Sequence, residues 1–374
     1  MKQLTEYILN TMLRVAINGY GRIGRVAHRI IVENFSQDID IVAINAGSST
    51  DLKGWMYLLQ YDSVYGIFPY PLSVIPNQDT AKVGHLGSLV VNGKEIAVYS
   101  QKDPALLPWR DHRVDVIIEA TGKLLTTEKA QAHIVSGARA VVLTAPAKDP
   151  SADSLQSGGQ AGQAIPTFVL GINDKQYNGE TIISNASCTT NCISPVAQVM
   201  HDTFGIEKAM MTTVHGYTSD QRLHDGGHKD YRRSRAAGLN IIPTSTGATR
   251  AAAKVLPALD GVFTGLALRV PVPVGSLSDI TFILKRETTK EEVNEAFKKA
   301  AEEPIYEGIL AATEDPIVSS DIIGSPYSAI VDLSLTQVVG GNMVKVIAWY
   351  DNEYGYATRL VEEVVMVGKK LPQQ

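Results

Sequence analysis

The sequence predicts an α/β fold with two domains: a doubly wound parallel sheet, then an α+β domain whose sheet is mostly antiparallel. The chain has 374 residues, which is long for a single hydrophobic core. Its first half alternates apolar runs with helical patterns, as parallel sheets do. After Cys188, several β-branched runs follow one another. We therefore predict a first domain over residues 14–187, a second over 188–351 and an N-terminal extension over 1–13.

Five segments define the first domain. Arg14–Asn18 and Ile39–Asn45 are predicted strands on either side of a predicted helix, Arg22–Asn34. Val114–Glu119 and Ala140–Thr144 are β-branched runs that end where a turn begins. Ligands of doubly wound sheets lie beyond the carboxyl ends of the strands. Functional residues are therefore expected just after these segments.

The second domain contains runs that favour antiparallel strands. They are Lys208–Val214, Leu266–Val270, Leu277–Leu284, Ile330–Val338 and Met343–Ala348. A last helix is predicted over Tyr356–Val367. We expect the C-terminal segment 352–374, which contains this helix, to pack back on the first domain.

Two further segments are predicted to lie outside these domains' cores. Lys148–Pro166 is rich in Ser, Gly, Gln and Pro, which indicates an exposed loop. Residues 1–13 carry apolar side chains at four-residue steps, which favours a short helix, and lack the long apolar run of a signal peptide. We hypothesise that Met12 is the true start, and an intact mass that includes Met1 would reject this.

Composition excludes several classes of function. The net charge of −5 gives no basic surface for nucleic acid. No apolar run reaches the roughly 18 residues that a membrane helix needs. The only cysteines, Cys188 and Cys192, suit neither a disulfide framework nor a zinc site. We expect a cytoplasmic protein without a metal.

Residues Gly19–Gly24 form the pattern G-x-G-x-x-G between a predicted strand and a predicted helix. Gly19 makes the tight turn, Gly21 lets the backbone approach a pyrophosphate, and Gly24 lets the helix pack on the strand. This context favours a Rossmann-type dinucleotide site over a tight turn without a ligand.

The identity of the dinucleotide depends on the end of the second strand. An acid usually follows there and binds the ribose 2′-hydroxyl, but residues 45–49 contain none. Asp51 is better placed to cap a helix. The lack of an acid and the hydroxyls of residues 48–50 favour NADP. The alternative is an NAD enzyme that holds the ribose by other contacts.

Cys188 is the candidate nucleophile. It follows an apolar run and precedes a helical pattern, so a helix N-terminus would favour its thiolate. His215 ends a predicted strand and is the candidate base. Ser187 and Thr189 supply hydroxyls suited to an oxyanion or a phosphate. Cys192, one helical turn further on, suits a small buried residue.

At this point the chain closely resembles the glyceraldehyde-3-phosphate dehydrogenase family. The blocks that carry the resemblance occur in family order over nearly the whole chain: Ile17–Arg25, Ser187–Cys192, Arg232–Ala237, Pro243–Ala248, Arg269–Pro271 and Trp349–Tyr356. The resemblance implies oxidative phosphorylation of D-glyceraldehyde 3-phosphate to 1,3-bisphosphoglycerate, with hydride transfer to NAD or NADP. It also implies a thioester on Cys188, with His215 as the base, and a homotetramer.

The resemblance assigns two groups of binding residues. The phosphate of the substrate and the attacking inorganic phosphate would be held by Ser187, Thr189, Thr218, Arg233, Thr246, Gly247 and Arg269. The dinucleotide would be held by Asn18, Gly19, Gly21, Arg22, Ile23, Ala46, Lys102, Thr144 and Asn352. Without the family, the arginines would be interpreted as surface charges or structural ion pairs.

Three departures from the family pattern stand out. NAD-specific members generally carry Asp where this chain has Ala46, and often Leu-Pro where it has Gly226-Gly227. Both changes make room for a 2′-phosphate and favour NADP. The third departure, Pro273–Ser276 in place of Pro-Asn-Val-Ser, leaves the conformation of that loop open.

Two other functions remain alternatives. A related erythrose-4-phosphate dehydrogenase would release its acid by hydrolysis, although Thr244–Gly247 favours the phosphate-using enzyme. A non-catalytic nucleotide-binding scaffold could share the fold. NADP use would indicate gluconeogenic or other reductive flow, and NAD use would indicate glycolysis.

Overall fold

The computed structural model describes residues 12–78, 84–148 and 164–372. The predicted N-terminal helix and most of the predicted loop at Lys148–Pro166 lie outside these ranges. Along the described chain, no helix is both long and apolar enough to cross a membrane.

The first sheet has eight strands in the order β10-β9-β8-β1-β2-β7-β6-β5, and those from β10 to β7 are parallel. Its strands are β1 Leu13–Asn18, β2 Ile39–Asn45, β5 Leu72–Pro76, β6 His85–Val91, β7 Lys94–Tyr99, β8 Val116–Glu119, β9 Ala140–Leu143 and β10 Ile182–Ser184. A small hairpin, β3 Tyr61–Asp62 and β4 Gly66–Ile67, lies apart from it. The doubly wound parallel sheet is therefore confirmed.

The antiparallel edge formed by β5, β6 and β7 is a feature that the sequence analysis misses. A signal for it exists, because Asn92-Gly93 joins β6 to β7 and both residues have positive φ, 49° and 80°. Asn-Gly is the preferred pair for a two-residue hairpin turn.

Helices cover the first sheet with their apolar faces. They are α1 Arg22–Asn34, α2 Leu52–Gln60 and α3 Thr127–Val135. Helix α1 has the predicted bounds, and its buried residues include Val26, Ala27, Ile30 and Ile31, which recur at the spacing of one helical face. Asp51 caps α2 by accepting a hydrogen bond from the Gly54 amide at 2.8 Å.

The second sheet has the order β12-β13-β11-β14-β18-β16-β15, with β17 also paired to β18. The strands are β11 Ile206–Gly216, β12 Ile242–Ser245, β13 Phe263–Val270, β14 Ser276–Leu284, β15 Leu310–Thr313, β16 Ala329–Asp332, β17 Gln337–Val339 and β18 Met343–Tyr350. Only the pairs β11–β13 and β15–β16 are parallel in this described sheet. The prediction of a mostly antiparallel sheet is confirmed.

The single strand predicted over Ile330–Val338 is wrong, because β16 and β17 are separate. The side chain of Asp332 accepts hydrogen bonds from the amide and the hydroxyl of Ser334 and starts a short helical turn at Leu333–Leu335. An Asp that bonds its own following backbone competes in this way with strand pairing.

The remaining helices are α4 Cys188–Phe204, α5 Ala248–Val255, α6 Lys290–Ala301 and α7 Tyr354–Lys370. Helices α4, α5 and α6 contribute to the apolar core of the second sheet. Helix α7 instead buries Leu360, Val361, Val364 and Val367 in the core of the first sheet. We propose domain limits at 14–187 and 188–351 because these two cores change over at Cys188.

Helix α7 also buries a carboxyl group, that of Glu363, which is 0% exposed. Neither of its oxygens has a hydrogen-bond partner among the described residues. Burial, with smaller contributions from Asp174 and Glu362, raises the pKa of Glu363 well above its usual value. The folded protein therefore retains a proton that the unfolded chain loses above a pH of about 4.3.

Replacing Glu363 with glutamine is expected to flatten the pH dependence of stability. In the parent protein, the free energy of unfolding contributed by this group falls as pH rises above about 4.3, because only the unfolded state releases the proton. The free energy of unfolding, measured with urea, should therefore fall less between pH 5 and pH 8 in the variant than in the parent. Glu291→Gln, at an exposed position of α6, is the control, and equal losses in all three proteins would contradict the expectation.

Candidate active site

The glycine-rich turn between β1 and α1 has the geometry that its three glycines predict. Gly19 has φ +97°, and a Cβ there would lie 2.7 Å from the backbone of Ala120. A Cβ on Gly24 would lie 2.3 Å from the Gly19 carbonyl oxygen, so α1 packs directly on the turn. Gly21 has open space beside it and offers no side-chain cap to α1. The start of α1 therefore fits a dinucleotide pyrophosphate.

A buried polar network ties the strand ends together beneath this turn. The Asn18 amide donates to Glu119 at 2.5 Å and accepts from the Asn45 amide at 2.7 Å. His133 Nε2 lies 3.0 Å from Glu119, and Trp109 donates to His133 Nδ1 at 2.9 Å. The Asn18 side chain is therefore a structural link between β1, β2 and β8.

Arg22 opens α1 and joins it to the start of α7. Its guanidinium lies 2.5 Å from Asp62 and 2.5 Å from Glu353. The side chain is thus held by two carboxylates. Arg22 lies in the first turn of α1, where backbone amides have no intrahelical partners. Its backbone amide, rather than its side chain, is therefore available to a pyrophosphate.

Cys188 and His215 lie together, as the sequence analysis expected. Cys188 is the first residue of α4, and Ser187 caps this helix by accepting the Thr190 amide at 3.1 Å. His215 lies near the end of β11, with 3% of its surface exposed. Its Nε2 is 3.4 Å from the sulfur of Cys188. The pair has the geometry of a thiol beside a general base.

The pKa values of this pair differ in part from the expectation that the start of the helix favours the Cys188 thiolate. Burial raises the pKa of the Cys188 thiol, although the charge of Arg269 and hydrogen bonds from Thr189 act against this. Burial and then the charge of Arg269 lower the pKa of His215 to about 3. Both shifts favour the neutral form of the group concerned, the thiol of Cys188 and the imidazole of His215.

Arg269 lies directly beside His215. The two residues are partners in the parallel pairing of β13 with β11. The Arg269 Nη1 atom is 2.7 Å from His215 Nδ1 and 3.1 Å from the Gly216 carbonyl oxygen. A buried cation therefore stands next to the reactive pair, where it can also meet an anionic substrate.

Asp220 holds two of the residues assigned to phosphate. The hydroxyl of Thr218 donates to one of its oxygens, and Arg233 Nη1 lies 2.5 Å from the other. Burial acts to raise the pKa of Asp220, but Thr218 and Arg233 lower it overall. The carboxylate therefore stays ionised and pairs with Arg233.

Two helix starts meet beside Cys188. Thr246 accepts the Ala248 amide at 3.1 Å, so Thr246 and the N-cap Gly247 open α5. The hydroxyl of Thr190, which contacts Ser187 at 2.8 Å, also reaches the Ala248 carbonyl at 3.4 Å. Amide dipoles of α4 and α5 thus converge, which suits a second oxyanion.

The hydroxyl of Thr189, which the resemblance assigns to phosphate, also belongs to a buried network of hydroxyls. Thr189 is buried, and its Oγ1 lies 2.9 Å from the hydroxyl of Tyr350. Tyr350 in turn lies 2.7 Å from Thr213 Oγ1. This chain of hydroxyls joins α4, β18 and β11 below the reactive pair, and Thr189 Oγ1 also lies 4.0 Å from the sulfur of Cys188.

Half of the predicted site residues line a cleft of about 620 Å³. Those that line it are Arg22, Ile23, Thr144, Ser187, Cys188, His215, Thr218, Arg269 and Asn352. The other predicted residues do not line it: Asn18, Gly19, Gly21, Ala46, Lys102, Thr189, Arg233, Thr246 and Gly247. The cleft thus contains the reactive pair and the region predicted for the nicotinamide.

Asn352 is held in one orientation at the wall of the cleft. Its side-chain oxygen accepts the Gly275 amide at 3.1 Å and the Ser276 hydroxyl at 2.9 Å. The amino group of the side chain is therefore the donor available to a ligand carboxamide. Gly275 has φ +98°, and a Cβ there would lie 2.6 Å from the Ser319 carbonyl. The loop Pro273–Ser276, which departs from the family pattern, therefore needs glycine at this position.

Sequence reasoning missed Asp220, Tyr350 and Glu353 as parts of the site. Asp220 stands two residues after Thr218, so the local spacing could have suggested an Asx-type contact. Tyr350 and Glu353 flank Asp351-Asn352 within a block already identified by resemblance. Their contacts lie far along the chain: the pairing of β18 with β14 positions Tyr350, and Glu353 reaches the site through its ion pair with Arg22.

Two family models and several known proteins match most of this chain. The model of the glyceraldehyde 3-phosphate dehydrogenase NAD-binding domain matches residues 13–127, and that of the C-terminal domain matches residues 187–352. The glyceraldehyde-3-phosphate dehydrogenase of Thermotoga maritima is 49% identical over 359 residues, covering 96% of this chain and 100% of that protein. That of Streptomyces coelicolor is 47% identical over 362 residues, covering 96% and 99%.

A third relative, glyceraldehyde-3-phosphate dehydrogenase 2 of Bacillus subtilis, is 45% identical over 361 residues, covering 96% of this chain and 98% of its own. The two domain models and these near full-length matches agree with the two-domain fold. The chain belongs to the glyceraldehyde-3-phosphate dehydrogenase family.

Proposed function

We propose that this chain oxidises D-glyceraldehyde 3-phosphate to 1,3-bisphosphoglycerate, reversibly, with inorganic phosphate and NAD or NADP. The observation that carries the proposal is the contact of 3.4 Å between Cys188 sulfur and His215 Nε2, beside the cation of Arg269. A thiol next to a base adds to an aldehyde as a thiohemiacetal, and removal of a hydride from that carbon would convert it to an acyl thioester. The neighbouring cation and helix starts suit the two phosphates that the reaction needs.

Cys188, His215 and Asn352 have different roles in the proposed reaction. Cys188 sulfur attacks the aldehyde carbon, so a C–S bond replaces the π bond of the carbonyl, and the proton of the thiol passes to the carbonyl oxygen, which becomes a hydroxyl group. A dinucleotide held by the start of α1 and by Asn352 would supply the acceptor for the hydride of that carbon. His215 takes the proton of the hydroxyl, so a thioester results, and inorganic phosphate then displaces the sulfur. Asn352 can orient the dinucleotide through its free amino group.

Dependence on phosphate tests the proposed reaction. Steady-state oxidation of glyceraldehyde 3-phosphate should require phosphate or arsenate, because only these release the thioester efficiently. Erythrose 4-phosphate, assayed under the same conditions, separates the two related dehydrogenases. Rapid turnover of either aldehyde without phosphate would contradict the proposal, because it would mean that water releases the acyl group. Binding of dinucleotide without any oxidation of aldehyde would support a scaffold instead.

We propose NADP as the favoured dinucleotide. Ala46 follows β2 directly, and the Asp51 carboxylate is used to cap α2. Lys102 is exposed and follows Gln101, whose amide donates to the Asn45 side chain at 3.0 Å. These neighbours of the end of β2 therefore include the cation of Lys102, and the carboxylate of Asp51 is occupied by its helix cap. A 2′-phosphate fits such a place better than it fits one with an acid.

Replacing Ala46 with aspartate is expected to lower kcat/KM for NADP at least about tenfold, or about 1.4 kcal/mol, relative to NAD. The carboxylate would repel a 2′-phosphate and attract a ribose hydroxyl. Parallel assays with both dinucleotides measure the effect. Ala46→Asn is the control because it adds similar volume without charge. Equal effects of Asp on both dinucleotides, or equal effects of Asp and Asn, would contradict the assignment.

We propose that the chain assembles as a homotetramer in the cytoplasm. The segment that precedes β12 exposes large apolar side chains: Tyr231 is 87% exposed, Leu239 83% and Leu223 80%. Met210 on β11 is 69% exposed. Apolar surface of this extent is typical of an interface, and copies of the same chain are the occupant that the family resemblance implies. Light scattering should give a tetramer, and a monomer mass would overturn the assembly.

A further inference from the structure

One buried hydroxyl group, that of Ser276, connects the region predicted for the nicotinamide with the reactive pair. Ser276 is the first residue of β14 and is 1% exposed. Its Oγ lies 2.9 Å from the side-chain oxygen of Asn352 and 3.3 Å from the backbone nitrogen of Gly216. The hydroxyl therefore joins Asn352, at the wall of the cleft, to the end of β11.

The directions of these hydrogen bonds follow from the atoms involved. The Gly275 amide donates to the Asn352 side chain at 3.1 Å, so the atom that it meets is the oxygen of Asn352 and not the nitrogen. Because this oxygen only accepts, the hydroxyl hydrogen of Ser276 must point to it. The Gly216 amide only donates, and it meets a lone pair of the same hydroxyl. Ser276 thus acts as donor and acceptor at once.

The loop before Ser276 is packed against the end of β11. A Cβ on Gly216 would lie 3.1 Å from the Val272 carbonyl oxygen, so no side chain fits between the loop and the strand. The Tyr217 amide donates to the same carbonyl at 3.0 Å. Gly275, with φ +98°, is the residue of this loop whose amide reaches Asn352. The departure from the family pattern at Pro273–Ser276 therefore lies in the segment that holds Asn352.

Gly216 also holds the proposed base. Its carbonyl oxygen lies 2.6 Å from His215 Nδ1, and the opposite ring nitrogen faces the Cys188 sulfur at 3.4 Å. The amide of the same glycine donates to Ser276. Loss of the Ser276 hydroxyl would therefore loosen Asn352 directly and His215 through Gly216.

We propose that Ser276 is a positioning residue for hydride transfer, whose hydroxyl keeps the amino group of Asn352 directed at the carboxamide of the dinucleotide. The inference rests on the proposed function, in which Asn352 orients the dinucleotide. Two donors hold the Asn352 oxygen, the Gly275 amide and the Ser276 hydroxyl. Without the hydroxyl only one remains, so the side-chain amide can rotate and present its oxygen to the ligand.

Dinucleotide binding without any aldehyde tests the orientation of Asn352. The probes are the oxidised dinucleotide, NADP or NAD, and the 3-acetylpyridine analogue of the same dinucleotide, which keeps the carbonyl oxygen but has no N–H donor. The Asn352 amino group needs only that oxygen, so the parent protein should bind both. In Ser276→Ala, the analogue should lose at least about fivefold more affinity than the carboxamide form, because it has no donor for an Asn352 oxygen. Equal losses for the two, or no loss for either, would overturn the proposal.

The face of the nicotinamide ring that reacts gives a second readout. A carboxamide held by the oxygen of Asn352 is turned over relative to one held by the amino group, so the opposite face of the ring is presented. With glyceraldehyde 3-phosphate tritiated at the aldehyde carbon, the minor fraction of label at C4 of the reduced dinucleotide should rise about tenfold in Ser276→Ala. A distribution of label equal to that of the parent would contradict the proposal.

Ser278→Ala is the matched control for Ser276→Ala. Ser278 is fully buried two residues further along β14, and its hydroxyl lies 3.9 Å from the Cys192 sulfur. The variant should keep the parental ratio of affinities and the parental distribution of label. Changes like those of Ser276→Ala would indicate a general effect of emptying this strand and would overturn the specific role of Ser276.

Two further variants at position 276 separate the hydroxyl from the fold. Ser276→Thr keeps the hydroxyl and should restore the parental ratio of affinities, and a ratio like that of Ser276→Ala would overturn the proposal. If Ser276→Ala does not fold, Ser276→Cys fills the same space with only a weak donor. It should shift the ratio in the same direction, and a parental ratio would overturn the proposal. These binding measurements need no turnover, so their failure is distinct from failure of the phosphate-dependence assay.

Discussion

Replacing Cys188 with serine is expected to reduce kcat for phosphate-dependent aldehyde oxidation by roughly 10⁴- to 10⁶-fold, the range seen when a covalent nucleophile is removed. A serine hydroxyl ionises far less readily than a thiol, and a neutral imidazole at 3.4 Å provides the only adjacent base in the described cleft. Steady-state rates with saturating phosphate measure the loss, and rapid mixing should show no burst of reduced dinucleotide.

Cys192→Ser is the matched control for this change. Cys192 is fully buried one helical turn along α4, with its sulfur 3.9 Å from the Ser278 hydroxyl and 3.9 Å from the Ala348 carbonyl. A hydroxyl there keeps a partner on each side, so the rate should remain close to that of the parent. Similar losses in both variants would indicate a general effect on folding, and full activity in Cys188→Ser would refute the covalent mechanism.

Replacing His215 with asparagine is expected to lower kcat by roughly 10²- to 10⁴-fold, the usual contribution of a general base. Asparagine preserves some hydrogen bonding near Gly216 but cannot take a proton from the hydroxyl formed on the substrate. Single-turnover formation of reduced dinucleotide should therefore slow, because proton removal accompanies loss of the hydride. Binding of the dinucleotide, measured by fluorescence, should change little.

His224→Asn provides the comparison at an exposed loop position. Its single-turnover rate should match that of the parent, since nothing places it in the cleft. If His215→Asn kept the parental single-turnover rate and slowed only steady-state turnover, His215 would act in a later step, and its assignment as the base for oxidation would be wrong.

Local patterns explain which parts of the fold were predictable. Helix Arg22–Asn34 and strand Ile39–Asn45 have the predicted bounds because an amphipathic face and a continuous apolar run are properties of neighbouring residues. The strand predicted over Ile330–Val338 failed because one side chain, Asp332, bonds the following backbone. Hydropathy cannot detect a break made by a single hydrogen bond.

The site was predictable in its residue types but not in its contacts. Cys188 and His215 are 27 residues apart, and they meet because α4 and β11 belong to the same core. Arg269 reaches His215 only through the register of β13 on β11. The engagement of the Asn18 side chain with Glu119 depends on pairing over 101 residues. Such register is set by whole-sheet packing rather than by any local motif.

The most direct test of the covalent mechanism is the mass of the protein trapped during turnover. Enzyme mixed with glyceraldehyde 3-phosphate and oxidised dinucleotide, without phosphate, and then denatured in acid should carry one phosphoglyceryl group. Peptide mapping should place that group on Cys188, and phosphate added before denaturation should remove it. Reduced dinucleotide formed in the first turnover without any adduct on Cys188 would contradict the account.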